Sequence, residues 1–196
     1  MESNRRGTVS AEYHGQMDSD IDRILLHRTR IAERIQTLAS EIATVYEDLD
    51  QGLTLVPILS GSIIFLADLM RELPMKMKIA LVHLSAYPGR ATAPSEARTV
   101  LDLVGDVRGR NVLLVDDILD TGGTLRRAQQ MILEREPADL RTAVLLRKLA
   151  KAPSDVTVDF VGFDIDDLFV VGYGLDFDDH YRNYPHIGVL RAEMMR

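Results

Sequence analysis

Apolar positions along this chain fall at two periods, and they alternate. Between Asp18 and Asp50, residues Ile21, Ile24, Leu25, Ile31, Ile35, Leu38, Ile42, Val45 and Leu49 recur at mostly helical steps. That is one face of a long amphipathic helix, with Asp18, Ser19 or Asp20 as its cap. Leu53–Leu59 is a continuous apolar run and predicts a buried strand. Ser60-Gly61-Ser62 then turns the chain into a second helix over Ile63–Leu73, stopped by Pro74. Lys78–Leu84 predicts the next strand. Tyr87–Arg98, with Pro88, Gly89 and Pro94, predicts a long mobile loop, and Thr99–Leu103 a short strand. Asn111–Val115 and Arg141–Leu146 predict buried strands on either side of a helix in which Leu125, Ala128, Met131 and Ile132 share a face. Val156–Gly162 and Phe169–Tyr173 predict later strands, placed in a smaller subdomain. Strands that are apolar throughout and alternate with helices predict a parallel sheet covered on both faces. Ligands of such sheets bind at the carboxyl ends of the strands.

Composition narrows the class without naming it. A chain of 196 residues, 46% hydrophobic and 27% charged, is long enough for one domain with a full core. It has no cysteine, so disulfides and thiolate metal sites are excluded, which fits a reducing cytoplasm. No apolar run is long enough to span a membrane. The opening MESNRRGTVSAEYHGQ is polar, lacks the apolar core of a signal peptide and is expected to be loose. A net charge of −7 argues against a broad nucleic-acid footprint.

The most informative stretch is VLLVDDILDTGGTL, residues 112–125. A buried strand ends in two adjacent carboxylates, Asp116 and Asp117. Asp120-Thr121-Gly122-Gly123-Thr124 follows and leads into the helix. Small residues at a helix N-terminus expose backbone N–H groups to a ligand, and the hydroxyls of Thr121 and Thr124 add donors, so this is a phosphate cradle. Two aspartates beside it would repel a phosphate unless they serve another part of the ligand, and vicinal sugar hydroxyls are donors that suit carboxylates. The pattern therefore points to a phosphorylated sugar. A strand ending in two aspartates also occurs in P-loop NTPases, but those need GxxxxGK[ST], which is absent. Receiver domains carry such a pair near their N-terminus. A tight turn with Asp120 as helix cap is the plain structural alternative.

Asp116–Thr124 resembles the 5-phosphoribosyl-1-pyrophosphate (PRPP) motif of type I phosphoribosyltransferases. The run Phe169–Leu190, FVVGYGLDFDDHYRNYPHIGVL, is similar to the same region of the hypoxanthine-guanine phosphoribosyltransferases. With Pro57–Leu69 and Leu145–Lys148, the resemblance extends from about the first sheet strand to the C-terminus. It implies an α/β, type I phosphoribosyltransferase fold: a parallel sheet core flanked by helices, with a small hood subdomain. The expected organisation is a flexible segment 1–17 and one domain over 18–196, with the hood built from about 156–196 and part of the N-terminal region.

The resemblance also implies an activity. The enzyme would transfer the 5-phosphoribosyl group from PRPP to hypoxanthine or guanine, giving the nucleoside monophosphate and pyrophosphate in purine salvage. Asp116 and Asp117 would hold the ribose hydroxyls directly or through Mg2+, and Asp176 matches a second magnesium ligand. Asp120 is the candidate base at purine N7, and the 5′-phosphate would sit on Thr121, Gly122, Gly123 and Thr124. Ser60-Gly61 matches the pyrophosphate loop, where the family usually has Lys-Gly and the peptide between the two can be cis. Arg182 matches an arginine that meets pyrophosphate. Lys148 would donate to the purine 6-oxo group, Phe169 would stack on the base, and main-chain groups of Val170 would read its edge. Tyr87 belongs to the loop expected to close over the site, where the family often has Ser-Tyr and this chain has Ser85-Ala86-Tyr87. Arg126, Arg127, Arg147, Lys148 and Arg182 would offset the acidic net charge locally. The partners implied are PRPP and a purine base, with no membrane or nucleic acid, in a homodimer or homotetramer. Two rivals are a PRPP-sensing regulator of the same fold that binds nucleic acid, and a transferase for xanthine or a pyrimidine.

Overall fold

The computed structural model describes residues 15, 17–47, 52–87 and 98–195. They form two compact units, one from the described residues up to Glu33 together with those from Leu168 onward, the other from the described residues between Arg34 and Asp167.

The larger unit is built on a five-stranded parallel sheet. Its strands are β2 (Leu53–Pro57), β3 (Met77–Ile79), β6 (Asn111–Leu119), β7 (Asp139–Lys148) and β8 (Phe160–Ile165), in the order β3-β2-β6-β7-β8. Val112, Leu113, Leu114 and Val115 are all fully buried at the centre, as strands covered on both faces must be. Helix α2 (Ile63–Glu72) buries Phe65, Leu66 and Leu69, and helix α3 (Gly123–Leu133) buries Leu125, Ala128 and Ile132. A core of Val56, Val82, Val112, Leu114, Val144 and the buried face of α3 is continuous. The outer strand β8 is protected by Arg34, whose guanidinium donates to the Gly162 and Val161 carbonyls at 2.9 and 2.7 Å. A charged group on these edge-strand carbonyls blunts the sheet edge. The antiparallel hairpin of β4 (Leu81–Tyr87) and β5 (Arg98–Val104) completes this unit, with Tyr87 opposite Arg98 as its last pair.

The smaller unit carries the antiparallel sheet β1-β10-β9, from β1 (Ile21–Leu26), β9 (Val170–Val171) and β10 (Ile187–Leu190). Its core is Ile21, Val171, Tyr184 and Leu190. No helix among the described residues is long and apolar enough to cross a membrane.

Four expectations change. The helix expected from Asp18 begins only at Arg28, as α1 (Arg28–Val45), because Ile21–Leu26 pairs instead with β10. Asp18 and Asp20 are not its caps: they accept hydrogen bonds from the hydroxyls of Tyr184 and Tyr181 at 2.8 and 3.0 Å. The first helical N–H, that of Arg28, finds the ring nitrogen Nδ1 of His186 at 3.0 Å. The strand expected at Lys78–Leu84 is two strands, β3 and β4, in different sheets. The hood boundary falls at Leu168 rather than near 156, since β8 pairs with β7 along the main sheet. The flexible segment expected over 1–17 and the loop over 88–97 lie almost wholly outside the described residues.

Candidate functional site

In the larger unit, the carboxyl end of β6 gathers the expected residues. Asp116 is 6% exposed, and burial together with the neighbouring Asp117 pushes its carboxyl well above the usual range. Its Oδ1 accepts the Asp117 N–H at 3.1 Å, and Asp117 Oδ1 accepts the Ile118 N–H at 2.9 Å. Two adjacent carboxylates, one of them buried, are hard oxygen donors that a divalent cation or sugar hydroxyls would relieve. Among the described residues no group of three or more His, Cys, Asp or Glu forms a protein-only metal cage. Magnesium does not require one, because it is commonly held by one or two carboxylates plus substrate phosphates.

After Asp120 and Thr121 the chain enters α3 through Gly122, which is the N-cap with φ +75°. Glycine is needed there twice over, for the left-handed backbone and because a Cβ would stand 2.7 Å from Pro153 Cγ. The Arg126 N–H bonds to the Gly122 carbonyl at 2.9 Å, so helix geometry leaves the N–H groups of Gly123, Thr124 and Leu125 pointing out of the helix end. Nothing crowds the Cβ position of Gly123, and Thr121 and Thr124 are exposed. The helix end at Gly122–Leu125 is thus uncrowded, with backbone donors directed outward. Asp120 does not cap it, since the α3 N-cap has no side-chain hydrogen bond.

Asp120 instead meets Lys148. Lys148 lies at the end of β7 and is 6% exposed, unlike the ordinary lysine at a strand end. Its ammonium donates to Asp120 Oδ2 at 2.8 Å and to Asp167 Oδ1 at 3.2 Å. Lys151 reaches the same carboxylates, at 2.8 Å from Asp167 Oδ1 and 3.8 Å from Asp120 Oδ1. Lys151 holds the Asp167 carboxyl below its usual range, helped by Lys148. Asp120 Oδ1 is buried and accepts no hydrogen bond. Neither Asp167 nor Lys151 was expected from the sequence. The signal available was a lysine three residues after Lys148 and the acidic pair Asp166-Asp167 closing β8.

Before α2, Ile58 and Leu59 still donate to Val115 and Val82 carbonyls, and the buried Ser62 hydroxyl donates to the Ile58 carbonyl at 2.6 Å. The cis peptide lies between Leu59 and Ser60, one residue ahead of the expected Ser60–Gly61 bond. It falls where strand pairing ends, between the last paired N–H at Leu59 and the Ser60 carbonyl that accepts from Ile63. Ser60 itself is exposed. A Cβ on Gly61 would stand 2.6 Å from Asp117 Cγ, so the turn packs directly on the acidic strand end.

Two of the cations expected to balance the anionic ligand are engaged elsewhere. Arg126 makes a two-pronged pair with Asp155 at 3.0 and 2.8 Å, and Arg147 does so with Asp164 at 2.6 and 3.0 Å. Tyr87 and Arg98, the ends of the expected loop, have their backbones paired in β4 and β5, and residues 88–97 lie outside the described residues.

In the smaller unit, Phe169 is 42% exposed, with its ring edge-on to Phe177 at 5.5 Å. Val170 lies in β9, an edge strand of its sheet, which leaves some main-chain groups on an open edge. Arg182 is bound at three points: to Asp176 Oδ1 at 2.7 Å, to Asp179 Oδ1 at 2.9 Å and to the Gly174 carbonyl at 2.9 Å. Asp178, Asp179 and Tyr181 all have positive φ, so this tight loop turns on non-glycine residues in the left-handed region.

A parallel sheet whose central strand ends in paired carboxylates, followed by a glycine-rich turn into a helix, defines an α/β protein with its candidate site at the carboxyl ends of the strands. Comparison with known proteins makes the class specific. The family model "Phosphoribosyl transferase domain" matches residues 24–178. A hypoxanthine phosphoribosyltransferase of Salmonella typhimurium is 37% identical over 84% of this chain and 93% of its own length. A hypoxanthine-guanine phosphoribosyltransferase of Mycobacterium bovis is 37% identical over 87% of each. A hypoxanthine phosphoribosyltransferase from Trypanosoma cruzi, a lysine-to-arginine variant in a ternary substrates complex, superposes with a TM-score of 0.80 at 35% identity, over 91% of this chain and all of that one. The same variant with the product IMP gives 0.79 at 36% identity, over 89% of this chain and 87% of that one. The chain belongs to the phosphoribosyltransferase family.

Proposed function

We propose that this enzyme transfers the 5-phosphoribosyl group of PRPP to hypoxanthine or guanine. The bond from ribose C1 to pyrophosphate breaks, a bond from C1 to the purine N9 forms, and pyrophosphate leaves. The observation that carries the choice of base is the Lys148–Asp120 pair, a buried ammonium and a carboxylate with one unpartnered oxygen, at the strand ends beside the glycine-rich helix start. A 6-oxopurine presents an acceptor at O6 and a donor at N7–H on one edge, which is the complement.

In this reading the N–H groups and hydroxyls of Thr121–Thr124 hold the 5′-phosphate, and Asp116 and Asp117 hold the ribose hydroxyls. Asp120 takes the N7 proton, Lys148 binds O6, Phe169 stacks on the base, and Val170 reads its edge. Gly61 and Ser60 offer the turn before α2 to pyrophosphate, Arg182 adds a forked cation, and Tyr87 joins the closing loop. Asp116, Asp117 and Asp176 are the residues that would hold Mg2+, which when bound neutralises pyrophosphate charge. Arg182 and Asp176 pair with each other at 2.7 Å, which holds the two groups side by side. A cytoplasmic homodimer or homotetramer fits the family. Incubation with PRPP, magnesium and each purine base, with the nucleotide followed by chromatography, tests the reading. Nucleotide from xanthine or a pyrimidine alone would replace it, as would no turnover combined with tight PRPP binding, which fits a regulator.

A further inference from the structure

We infer that Asp167, backed by Lys151, is a positioning residue for base capture: it holds the buried Lys148 ammonium so that one N–H of Lys148 and one oxygen of Asp120 stay free for the base. This rests on the functional reading above.

The count of donors and acceptors carries the inference. An ammonium has three N–H donors. Asp120 Oδ2 takes one of Lys148's at 2.8 Å and Asp167 Oδ1 takes a second at 3.2 Å. One remains. Asp120 has a second oxygen, Oδ1, that is buried and accepts nothing. Lys151 stands 3.8 Å from it, too far for a hydrogen bond. The four side chains thus present one free donor and one free acceptor, which is what O6 and N7–H of a 6-oxopurine need. A 6-aminopurine offers the reverse at position 6 and would leave the donor unpaired.

Asp167 is what keeps this arrangement from collapsing. With its side chain only 7% exposed, Lys148 must pair its charge. With Asp120 as its one remaining carboxylate, the ammonium would draw both Asp120 oxygens onto itself and close the acceptor. Asp167 supplies the second anion from the turn after β8. Lys151 grips Asp167 at 2.8 Å and returns the cluster to two cations and two anions. A neutral base then enters a balanced site.

The test uses the full chain, with steady-state kinetics for hypoxanthine and PRPP and with thermal melting. Asp167→Asn should raise KM for hypoxanthine about tenfold, the value of a lost charged hydrogen bond. KM for PRPP should change by less than about twofold and the melting temperature hardly at all, because Asp167 is exposed. Lys151→Met should act in the same direction by about threefold, as a partly exposed ion pair does. The decisive measurement is a double-mutant cycle with Lys148→Met. If Asp167 acts through Lys148, its substitution should have no further effect on the hypoxanthine KM once Lys148 is gone. An unchanged hypoxanthine KM in Asp167→Asn, an equal rise for both substrates, or full additivity in the cycle would each overturn the inference and leave the functional reading intact. A wild-type chain that makes no nucleotide from any 6-oxopurine would overturn both.

Discussion

Gly61 and Asp117 touch: a Cβ added to Gly61 would lie 2.6 Å from Asp117 Cγ. The turn that leaves β2 and the acid that ends β6 therefore share one small space. Gly61→Ala should push the Asp117 carboxylate out of place. Overpacking of this kind costs about 1–3 kcal/mol. The expected outcome is a fall of kcat/KM for PRPP of about tenfold or more, with the hypoxanthine KM much less affected. Kinetics with each substrate varied in turn checks it, and a normal kcat/KM for PRPP would show that Asp117 tolerates displacement.

Asp120→Asn keeps the size of the side chain and removes the basic carboxylate. The contribution of a general base is about 10²–10⁴-fold, and kcat should fall toward the lower end of that range. PRPP affinity should persist, because the cradle is made by residues after Asp120. Single-turnover rates isolate the chemical step, and an unaltered rate there would remove Asp120 from the proton transfer.

Ser60→Lys places a cation on an exposed turn. Pyrophosphate inhibition should tighten by up to about 1 kcal/mol, the range of an exposed ion pair. The gain should shrink as salt rises, since such charges are screened. Inhibition constants at two ionic strengths measure both effects. A salt-independent gain would mean that the lysine acts by reshaping the turn.

Tyr184 supplies a pH-dependent prediction. Burial and the hydrogen bond to Asp18 raise its hydroxyl to about 12. The folded state therefore binds this proton more tightly than the unfolded chain, whose tyrosines ionise near pH ~10. The stabilisation is complete below the unfolded value and is lost as pH rises toward the folded one. Melting temperature should drop between about pH 10 and about 12, and Tyr184→Phe should drop less steeply across that window while being less stable at neutral pH. Parallel curves for the two proteins would assign the alkaline loss to other groups, Tyr46 and Tyr181 first, whose hydroxyls are also raised.

The parallel core was legible because its signals are local. Val112–Val115 could only be a strand covered on both faces, and Thr121–Thr124 carried the start of α3 in its own residues. What was hidden depends on remote partners. Ile21–Leu26 reads as helix until β10, more than 160 residues later, offers it a ladder. β8 joins the main sheet through pairing that its six residues do not announce. The cradle and the acids were visible as a contiguous motif. Asp167 and Lys151 were not, because an ion cluster assembled from the ends of three strands has no spacing to read.

The register of β2 against β6 bears on how the molecule comes to exist. Leu53 pairs with Asn111 and Pro57 with Val115, across a helix, a strand and a hairpin. Contacts this remote in sequence form slowly, because the loop between them must close first. Gly61 meets Asp117 only once that ladder has zipped to its carboxyl end. The acidic strand end is therefore completed only when two remote strands have paired, and a nascent chain acquires the surface proposed to bind PRPP late, together with its central sheet. A ligand that recognises this surface also selects the finished fold by mass action, so substrate present during refolding should raise the yield of native protein.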